Sequence, residues 1–187
     1  LLEHEAFAVY AAESERIPNV LQEIGRLREI TFRAEDEGTG RASDLDRFDA
    51  YYTHLFLWNR TKHEVVGSYR IGKSDEILAS RGTRGLYSRT LFRYSGRLLK
   101  ELGPSLELGR SFIRPEYQKS YSALLLIWKG IGRYLLAHPR YRSLFGPVSI
   151  NNEYSSVSRQ LLVAFLSLNN FQPERSKLVK ARRPLKR

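Results

Sequence analysis

The sequence predicts an α/β fold in which helices flank a mixed sheet. A strand-like segment at 106–113 is followed by a proline turn and then by a helical pattern that runs to Ala137. Strand-like and helical segments alternate along the whole chain in the order β-α-β-β-α-β-α-β-α. The length of 187 residues and the hydrophobic content of 42% suit one domain with a sizeable core.

The patterns before residue 106 predict three strands, at 7–11, 54–59 and 65–71, and two helices, at 17–33 and 90–102. The first helix has one apolar face, formed by Val20, Leu21, Ile24, Leu27 and Ile30. Gly67 in the third strand indicates a bulge or a close backbone approach. The segment 72–85 shows no regular pattern, and Gly103-Pro104 ends the second helix.

The segment around residue 106 organises the chain. Pro115 stops the strand because proline has no donor for a ladder, and Ser120 and Ser122 are candidate helix N-caps. The predicted apolar face of the helix contains Leu124, Leu125, Ile127, Trp128, Ile131 and Leu135. A strand at 143–150, a turn at 151–156 and a helix at 157–168 follow. In this last helix the residues expected to pack inward are Leu161, Leu162, Phe165, Leu166 and Leu168.

Glu107 and Arg110 are charged residues in a strand that is otherwise apolar. Side chains alternate along a regular strand, so two residues that are three positions apart would face opposite sides. A one-residue bulge at Gly109 would bring both to one face. The alternative is an ordinary half-buried salt bridge between them.

Composition excludes several classes of function. There are no cysteines, and the four histidines lack ligand spacing, so we predict no metal. No apolar run is long enough to cross a membrane and no signal peptide is visible, so we expect a cytoplasmic location. The chain has no methionine and begins at Leu1, so we expect it to be a piece of a longer protein. We predict one domain at 1–175 and a basic tail at 176–187, for which a solvated terminus is the simpler interpretation.

The net charge of +11 indicates an acidic partner, either an anionic membrane surface, nucleic acid or an acidic carrier protein. We do not expect nucleic acid, because the aromatic residues lie in apolar stripes rather than between basic residues. Peripheral contact with the inner face of an anionic membrane remains an option. An acidic run, Asp44-Leu-Asp-Arg-Phe-Asp49, could bind a cation or an amine, or could cap local turns.

An ordered set of short motifs resembles a known family. They are Arg28 with Phe32, the Asp46 and Asp49 pair, Val66-Gly-Ser-Tyr-Arg70 and Glu107-Leu-Gly-Arg110. Their order and spacing resemble the acyl-homoserine-lactone (autoinducer) synthases. The chain is more similar to the ornithine-lipid and glycine-lipid N-acyltransferases, a group often labelled hemolysin-like. The similarity extends from about residue 17 to 171. It implies the GNAT fold, with a mostly antiparallel central sheet flanked by helices.

The resemblance implies an N-acyltransferase that moves a fatty acyl group, such as a 3-hydroxyacyl group, from an acyl carrier protein to the α-amine of an amino acid, for amino-acid lipid synthesis. No tightly bound cofactor is implied. The tryptophan that autoinducer synthases carry after the phenylalanine is absent here, and Gly38 lies near that place, which argues against a homoserine-lactone product. The turn 118–123 has Tyr121 where coenzyme A-dependent GNAT enzymes have glycine. This favours a carrier-bound phosphopantetheine.

The resemblance also implies roles for particular residues. Glu107 is the candidate base or ammonium binder, and backbone N–H groups near Gly109 could hold the oxyanion. Arg110 and Arg70 could bind the acceptor's carboxylate. Substrate-binding positions are Arg28, Phe32, Asp46, Asp49 and Arg70; Gln118, Lys119, Ser120 and Ser122 could touch the phosphopantetheine phosphate. The leucine-rich helix could line an acyl tunnel, although ordinary core is the simpler interpretation of most of its leucines.

Two other functions stay open at this point. One is a coenzyme A-dependent acetyltransferase of a small amine, which would have the same fold. The other is a non-enzymatic module that acts at a membrane surface, as the charge and the group's label suggest. The second predicts that Glu107→Gln leaves function intact whereas removal of residues 176–187 abolishes it.

Overall fold

A computed structural model describes residues 1–119, 121–150 and 154–183. Its strands are β1 Leu2–His4, β2 Phe7–Glu13, β3 Thr53–Asn59, β4 Glu64–Lys73, β5 Phe92–Tyr94, β6 Ser105–Ile113, β7 Ser143–Phe145 and β8 Val179–Ala181. Its helices are α1 Pro18–Ala34, α2 Ser74–Arg81, α3 Gly96–Leu102, α4 Pro115–Gln118, α5 Tyr121–Ala137, α6 Ser156–Asn169 and α7 Pro173–Ser176. The predicted cap at Ser120, the side chain of Tyr121 and the turn residues 151–153 lie outside the described residues.

Six strands form one sheet in the order β1-β2-β3-β4-β6-β7. All neighbouring pairs are antiparallel except β6 and β7, which are parallel. The predicted mixed, mostly antiparallel sheet flanked by helices is therefore confirmed. A separate two-stranded sheet joins β5 to β8, so part of the predicted basic tail pairs with residues 92–94.

The sheet buries a core on each of its faces. On one face, Leu55 and Leu57 of β3 pack against α5. On the other face, Phe56 of β3 packs against Ile24 and Leu27 of α1. Alternation along β3 explains how one strand serves both layers, since successive side chains point to opposite faces.

Strand β7 is short and pairs only with the beginning of β6. The parallel register joins Ser105–Glu107 to Ser143–Phe145, and β7 then ends while β6 continues to Ile113. The predicted strand at 143–150 is therefore too long, because Pro147 has no ladder donor. Gly146 lies against β6: a Cβ there would be 2.1 Å from the carbonyl oxygen of Leu108. Beyond this contact the two chain segments separate.

The predicted bulge in β6 is present. Arg70 pairs with Gly109 and Ser68 with Phe112, so Tyr69 faces two residues instead of one. The inserted Arg110 has a φ of 50°, in the left-handed region that few residues other than glycine adopt. The close approach expected at Gly67 is also confirmed, and the register of β3 and β4 shifts next to it, between Leu57 and Trp58.

Three predicted helices need correction. The buried face of α5 is formed by Ala123, Leu126, Ile127, Ile131 and Tyr134. The predicted face is therefore partly wrong: Leu124, Leu125 and Trp128 are exposed, and Ser122 lies inside the helix instead of capping it. On α1, Ile30 is exposed as well. The helix predicted at 90–102 begins only at Gly96, where the Ser95 side chain accepts a hydrogen bond from the Arg97 N–H.

Two further predictions, for the segment 72–85 and for the helix near residue 160, are wrong. The first segment has no clear sequence pattern, and the helix has no partner among the described residues that covers its apolar face. The segment 72–85, predicted to be irregular, contains α2. Helix α6 forms as predicted, but none of its residues is buried, and Leu168 is 86% exposed. The inward packing predicted for its leucines is therefore wrong. In the described part of the chain, no helix is long and apolar enough to cross a membrane.

We expect Gly67→Ala to lower the free energy of unfolding by about 1–3 kcal/mol, because the new Cβ would overlap backbone that cannot move easily. That Cβ would lie 2.5 Å from the carbonyl oxygen of Phe112. Gly132→Ala in α5 is the matched control: its Cβ would meet nothing within 4 Å, and alanine is favoured over glycine in a helix by about 0.5–1 kcal/mol. Urea unfolding measures both. Equal stability of the two variants would contradict the close packing of β4 on β6.

Candidate active site

A buried network of charged side chains connects α1, the loop that follows it, β4 and β6. Its members are three arginines and three aspartates: Arg28, Arg70, Arg110, Asp44, Asp46 and Asp49. Buried charges are costly unless they are paired and hydrogen-bonded, and the equal numbers of the two signs meet that requirement. The predicted acidic run and three of the predicted arginines thus belong to one structure.

Arg28 makes the most complete set of contacts. Its Nη1 and Nη2 donate to Oδ1 and Oδ2 of Asp49 at 2.9 and 3.0 Å, and its Nε lies 3.2 Å from Oδ2 of Asp44. Nη2 also donates to the backbone carbonyl of Asp44. Arg28 is fully buried, so it is not a surface charge at a helix end. It ties α1 to the loop instead of standing open to a ligand.

Arg70 lies on β4 and reaches the same loop. Its Nη1 donates to Oδ1 of Asp46 at 2.7 Å and lies 3.2 Å from Oδ2 of Asp49. Its guanidinium lies 5.2 and 5.0 Å from the ring centroids of Tyr52 and Tyr87. Nη2 of Arg70 is buried and has no hydrogen-bond partner among the described residues. This donor therefore retains unused binding capacity.

Two neighbouring carboxyls respond to this environment in opposite directions. Burial opposes ionisation of Asp49, but the hydrogen bonds and positive charges of Arg28 and Arg70 outweigh it and hold the pKa of Asp49 well below its ordinary value. For Asp44 the order is reversed: burial raises the pKa, and the charge of Arg28 offsets only part of that effect. Asp49 is thus the main counter-ion of the network.

Glu107 sits beside the network and makes no ion pair with Arg110. Its Oε1 accepts from the Ser88 N–H at 2.6 Å, and its Oε2 accepts from the Tyr87 N–H at 3.0 Å and from the Tyr52 hydroxyl. Burial and the negative Glu107 raise the pKa of Tyr52, so its hydroxyl stays a donor. Glu107 is 1% exposed, and the predicted role as a base that touches substrate is not tested by this geometry.

A cavity of about 1310 Å³ opens where β6 and β7 separate. Its floor is the bulge from Gly109 to Ser111, and Tyr87 and Phe32 stand beside it. Arg110 lines the cavity; its guanidinium lies 5.1 Å from the Tyr87 ring centroid, and its Nη2 lies 3.6 Å from Oδ1 of Asp44. Nε of Arg110 is buried without a hydrogen-bond partner among the described residues.

The walls of this cavity differ in character. Apolar side chains contribute a large part of them, including Leu91, Leu108, Trp128, Leu144, Phe145 and Val148. Besides Arg110, three arginines line the cavity, one on β5 and two just after β8. Glu37 is the one carboxylate that lines the cavity in the described part of the chain, and its Oε2 accepts from the Ser149 hydroxyl at 3.1 Å. The cavity suits a molecule with both apolar and charged parts.

The residues predicted to touch a phosphate lie elsewhere. Gln118 ends α4 and donates from Nε2 to the carbonyl oxygen of Ile113 at 3.0 Å, and Lys119 follows it on the surface. Ser122 is the second residue of α5, and Ser120 is not among the described residues. The described members of this set do not line the cavity. Their role stays a prediction.

Sequence reasoning missed four residues of the site. Tyr52, Tyr87, Ser88 and Glu37 all contact the charged groups or the cavity. Tyr52 closely follows the acidic run, and its position before β3 was a usable signal. Tyr87 and Ser88 belong to a segment without periodicity, so only the folded chain brings them to Glu107. No group of three or more potential metal-ligating side chains occurs in the described residues.

Comparison with known proteins gives a family assignment. The sequence profile of the acetyltransferase (GNAT) domain matches residues 27–128, more than half of the chain. The chain belongs to the GNAT domain family. The matched region contains the whole charged network and the bulge, so the motifs that suggested the resemblance are the ones that the family assignment covers.

Individual relatives agree with the resemblance seen in the sequence. The chain is 36% identical over 188 residues to a glycine N(alpha)-acyltransferase of Phocaeicola vulgatus, covering 95% of this chain and 57% of the relative. It is 34% identical over 162 residues to an L-ornithine N(alpha)-acyltransferase of Rhodobacter capsulatus, covering 80% of this chain and 59% of the relative. The chain thus spans little more than half the length of these curated relatives.

A solved structure supports the fold. The AHL synthase LasI superposes with a TM-score of 0.53 at 17% identity, covering 84% of this chain and 77% of LasI. At this identity the likeness concerns the GNAT fold alone. Both predicted resemblances, to the amino-acid N-acyltransferases and to the AHL synthases, are confirmed at these levels.

The charged network predicts a pH-dependent cost for Asp49→Asn. At pH 7 we expect a loss of about 3–5 kcal/mol in the free energy of unfolding, because two buried arginines lose their shared counter-ion. The folded-state pKa of Asp49 lies below the ordinary 3.8, so its contribution is present above that value and is lost as pH falls below it. Denaturant unfolding from pH 7 down to about pH 2 should therefore show the gap to the native protein shrinking once the pH is below the ordinary pKa of the carboxyl.

Asp44→Asn is the matched control for this prediction. The pKa of Asp44 is raised, so its ionised form costs stability and the protonated form is favoured at low pH. We expect a smaller loss at pH 7 and no shrinking of the gap on acidification. A larger loss for Asp44→Asn than for Asp49→Asn would show that the assignment of the main counter-ion is wrong.

Proposed function

We propose that this GNAT domain transfers an acyl group from a phosphopantetheine thioester to the α-amine of an amino acid. The observation that carries the proposal is Arg110, which lines a cavity whose other described lining residues include several apolar side chains and one carboxylate, Glu37. An amino acid presents a carboxylate and an ammonium group, and a thioester donor presents a long apolar chain. The names of the relatives, glycine and L-ornithine N(alpha)-acyltransferase, support this choice of acceptor.

The acceptor's carboxylate pairs with Arg110 in this proposal. A guanidinium binds a carboxylate bidentately, and such charge-assisted bonds are among the strong ones in proteins. The two aspartates near Arg110 lie at 3.6 and 3.9 Å, too far for good hydrogen bonds, which leaves the fork open to a ligand. Arg70 does not line the cavity; it supports the site through its contacts with Asp46 and the Tyr87 ring.

The acceptor's amine needs a partner and must lose a proton before it attacks. An α-amine has a pKa near 8, so a nearby carboxylate or a water bound to it is a sufficient base. Glu37 lines the same cavity as Arg110, and its Oε2 accepts a hydrogen bond from the Ser149 hydroxyl. We assign it the ammonium contact. The bulge at Arg110 leaves N–H groups of the strand as candidate donors to the oxyanion.

Glu107 acts, in our proposal, as a positioning residue. Both of its oxygens already accept hydrogen bonds, two of them from the backbone of Tyr87 and Ser88. It thereby fixes Tyr87, whose ring lies beside the guanidiniums of Arg70 and Arg110. The direct role predicted for Glu107, as base or ammonium binder, is the alternative, and the two differ in a measurable way.

For the donor we propose an acyl carrier protein. The net charge of +11 suits an acidic partner, and the apolar walls suit a fatty acyl chain. The residues 118–122, at the beginning of α5, remain candidates for a phosphate contact. Acyl-CoA is the alternative donor. An N-acyl amino acid is amphiphilic, which agrees with a place in lipid synthesis and with work at the inner face of an anionic membrane.

Mass spectrometry of products tests this function. The protein is incubated with 3-hydroxyacyl carrier protein or the matching acyl-CoA, together with glycine, ornithine and other amino acids. We expect a new N-acyl amino acid whose mass identifies acceptor and chain together. Acetyl transfer from acetyl-CoA without any long-chain product would favour the small-amine acetyltransferase. Folded protein that forms no product with either donor would favour the membrane-surface module.

Arg110→Asn is the variant to run beside the native protein. Asparagine tolerates a positive φ, so the guanidinium is removed with little backbone strain at a residue whose φ is 50°. We expect the KM for the amino acid to rise by roughly 10- to 100-fold, as the loss of a charge-assisted pair implies. An unchanged KM for the acceptor would remove Arg110 from the acceptor site.

Glu107→Gln separates the two roles of Glu107. A positioning residue predicts that the variant loses activity and thermal stability together, and that Tyr52→Phe, which removes one of its donors, shows the same coupled loss in weaker form. A base that acts on substrate predicts a fall in kcat of about 10²- to 10⁴-fold at unchanged stability. Thermal unfolding and initial rates on the same preparations measure both. An inactive but fully stable Glu107→Gln protein would overturn the positioning role.

A further inference from the structure

The small sheet of β5 and β8 carries an unusual concentration of positive charge. Arg93 on β5 lies directly opposite Lys180 on β8, and Arg182 and Arg183 follow β8 at once. Like charges directly opposite each other across two strands destabilise the pair. A two-stranded sheet is itself only marginally stable. The two positive charges of Arg93 and Lys180 therefore repel each other within a sheet that is itself only marginally stable.

Nothing in the described chain neutralises this charge. Among residues 1–119, 121–150 and 154–183, no carboxylate forms an ion pair with Arg93, Lys180 or Arg183. Two basic neighbours in sequence do form ion pairs, Arg97 with Glu101 and Lys177 with Glu174. The cations of the small sheet and of the residues directly after β8 have no such partner among the described residues.

The backbone holds these cations at the edge of the cavity. Arg182 donates from its backbone N–H to the carbonyl of Leu91 and from its Nε to the carbonyl of Arg89, both at 2.8 Å. The Ser95 N–H donates to the carbonyl of Leu178 at 2.9 Å. These bonds fix β8 beside β5. Arg93, Arg182 and Arg183 all line the cavity whose floor contains Arg110.

We infer that Arg93, Arg182 and Arg183, with Lys180 beside them, bind the phosphate of the phosphopantetheine donor at the rim of this cavity. The inference rests on the proposed function and names a phosphate contact other than residues 118–122. The apolar walls accept the acyl chain while the rim accepts the anion, as an amphiphilic donor requires. The ligand chemistry is a phosphate ester, which a carrier-bound arm and coenzyme A have in common.

The test compares donors with and without that phosphate. The variant is Arg93→Gln/Arg183→Gln, two exposed side chains that make no bond that the fold depends on; Arg182 is left intact because it holds β8. The control Arg97→Gln/Lys177→Gln removes the same charge from neighbouring surface positions. The donors are acyl-phosphopantetheine and acyl-pantetheine with the same acyl chain, at low and high salt.

We expect the rim variant to raise the KM for acyl-phosphopantetheine about tenfold or more relative to the KM for acyl-pantetheine, with a smaller effect at high salt. The control double variant should keep the native ratio of the two KM values. An equal effect on both donors, or no effect, would overturn the inference. A defect with acyl carrier protein or acyl-CoA that is absent with acyl-phosphopantetheine would overturn it too, because the rim would then recognise another part of the donor.

A binding measurement separates this inference from the proposed function. Calorimetry with phosphopantetheine and with pantetheine needs no catalysis. If the native protein forms no product but binds phosphopantetheine more tightly than pantetheine, and the rim variant does not, the phosphate site at the rim is supported and the proposed acyl transfer is contradicted. If the native protein forms product but the rim variant still binds phosphopantetheine more tightly than pantetheine, to the same extent, only the phosphate site at the rim is contradicted.

Discussion

The interaction on which the rest of the site depends is the pairing of buried arginines with the aspartates of one loop. Arg28 from α1 and Arg70 from β4 share Asp49, so helix, loop and sheet are fixed to each other by charge as well as by packing. Such a pair contributes little net stability over apolar residues, but removing one partner leaves a charge buried and unpaired. The network is therefore better understood as a device that fixes geometry than as a source of stability.

The bulge in β6 converts that rigid frame into a site. Without the extra residue, Glu107 and Arg110 would point to opposite faces of the sheet. With it, Glu107 holds the backbone of Tyr87 and Ser88 while Arg110 enters the cavity beside the Tyr87 ring. The separation of β7 after Phe145 then leaves the bulge accessible. The bulge at Arg110 and the short pairing of β6 with β7 thus form the cavity together.

Sequence reasoning located these features because each has a local cause. The spacing of Glu107 and Arg110 suggested a bulge as one of two interpretations, and Gly67 suggested a bulge or a close approach; the bulge in β6 and the close approach at Gly67 are both present. The failures have a tertiary cause. Helix α6 has the expected period, yet periodicity cannot say whether a partner covers the apolar face. Tyr87 contacts Glu107, which is twenty residues away in sequence, and the segment around Tyr87 has no periodicity that would indicate this contact.

The cavity unites requirements that no single motif expresses. The proposed acyl transfer to an amino acid would have to hold a carboxylate, an amine, an apolar chain and a phosphate within one space, because proximity supplies much of the rate. The bulge supplies Arg110, the loop after α1 supplies Glu37, and the diverging strands supply the apolar walls. Arg182 and Arg183, which directly follow β8, line the same cavity. A segment that composition marks as a solvated tail thereby borders the cavity, since strand pairing with β5, and not its charge, determines where it lies.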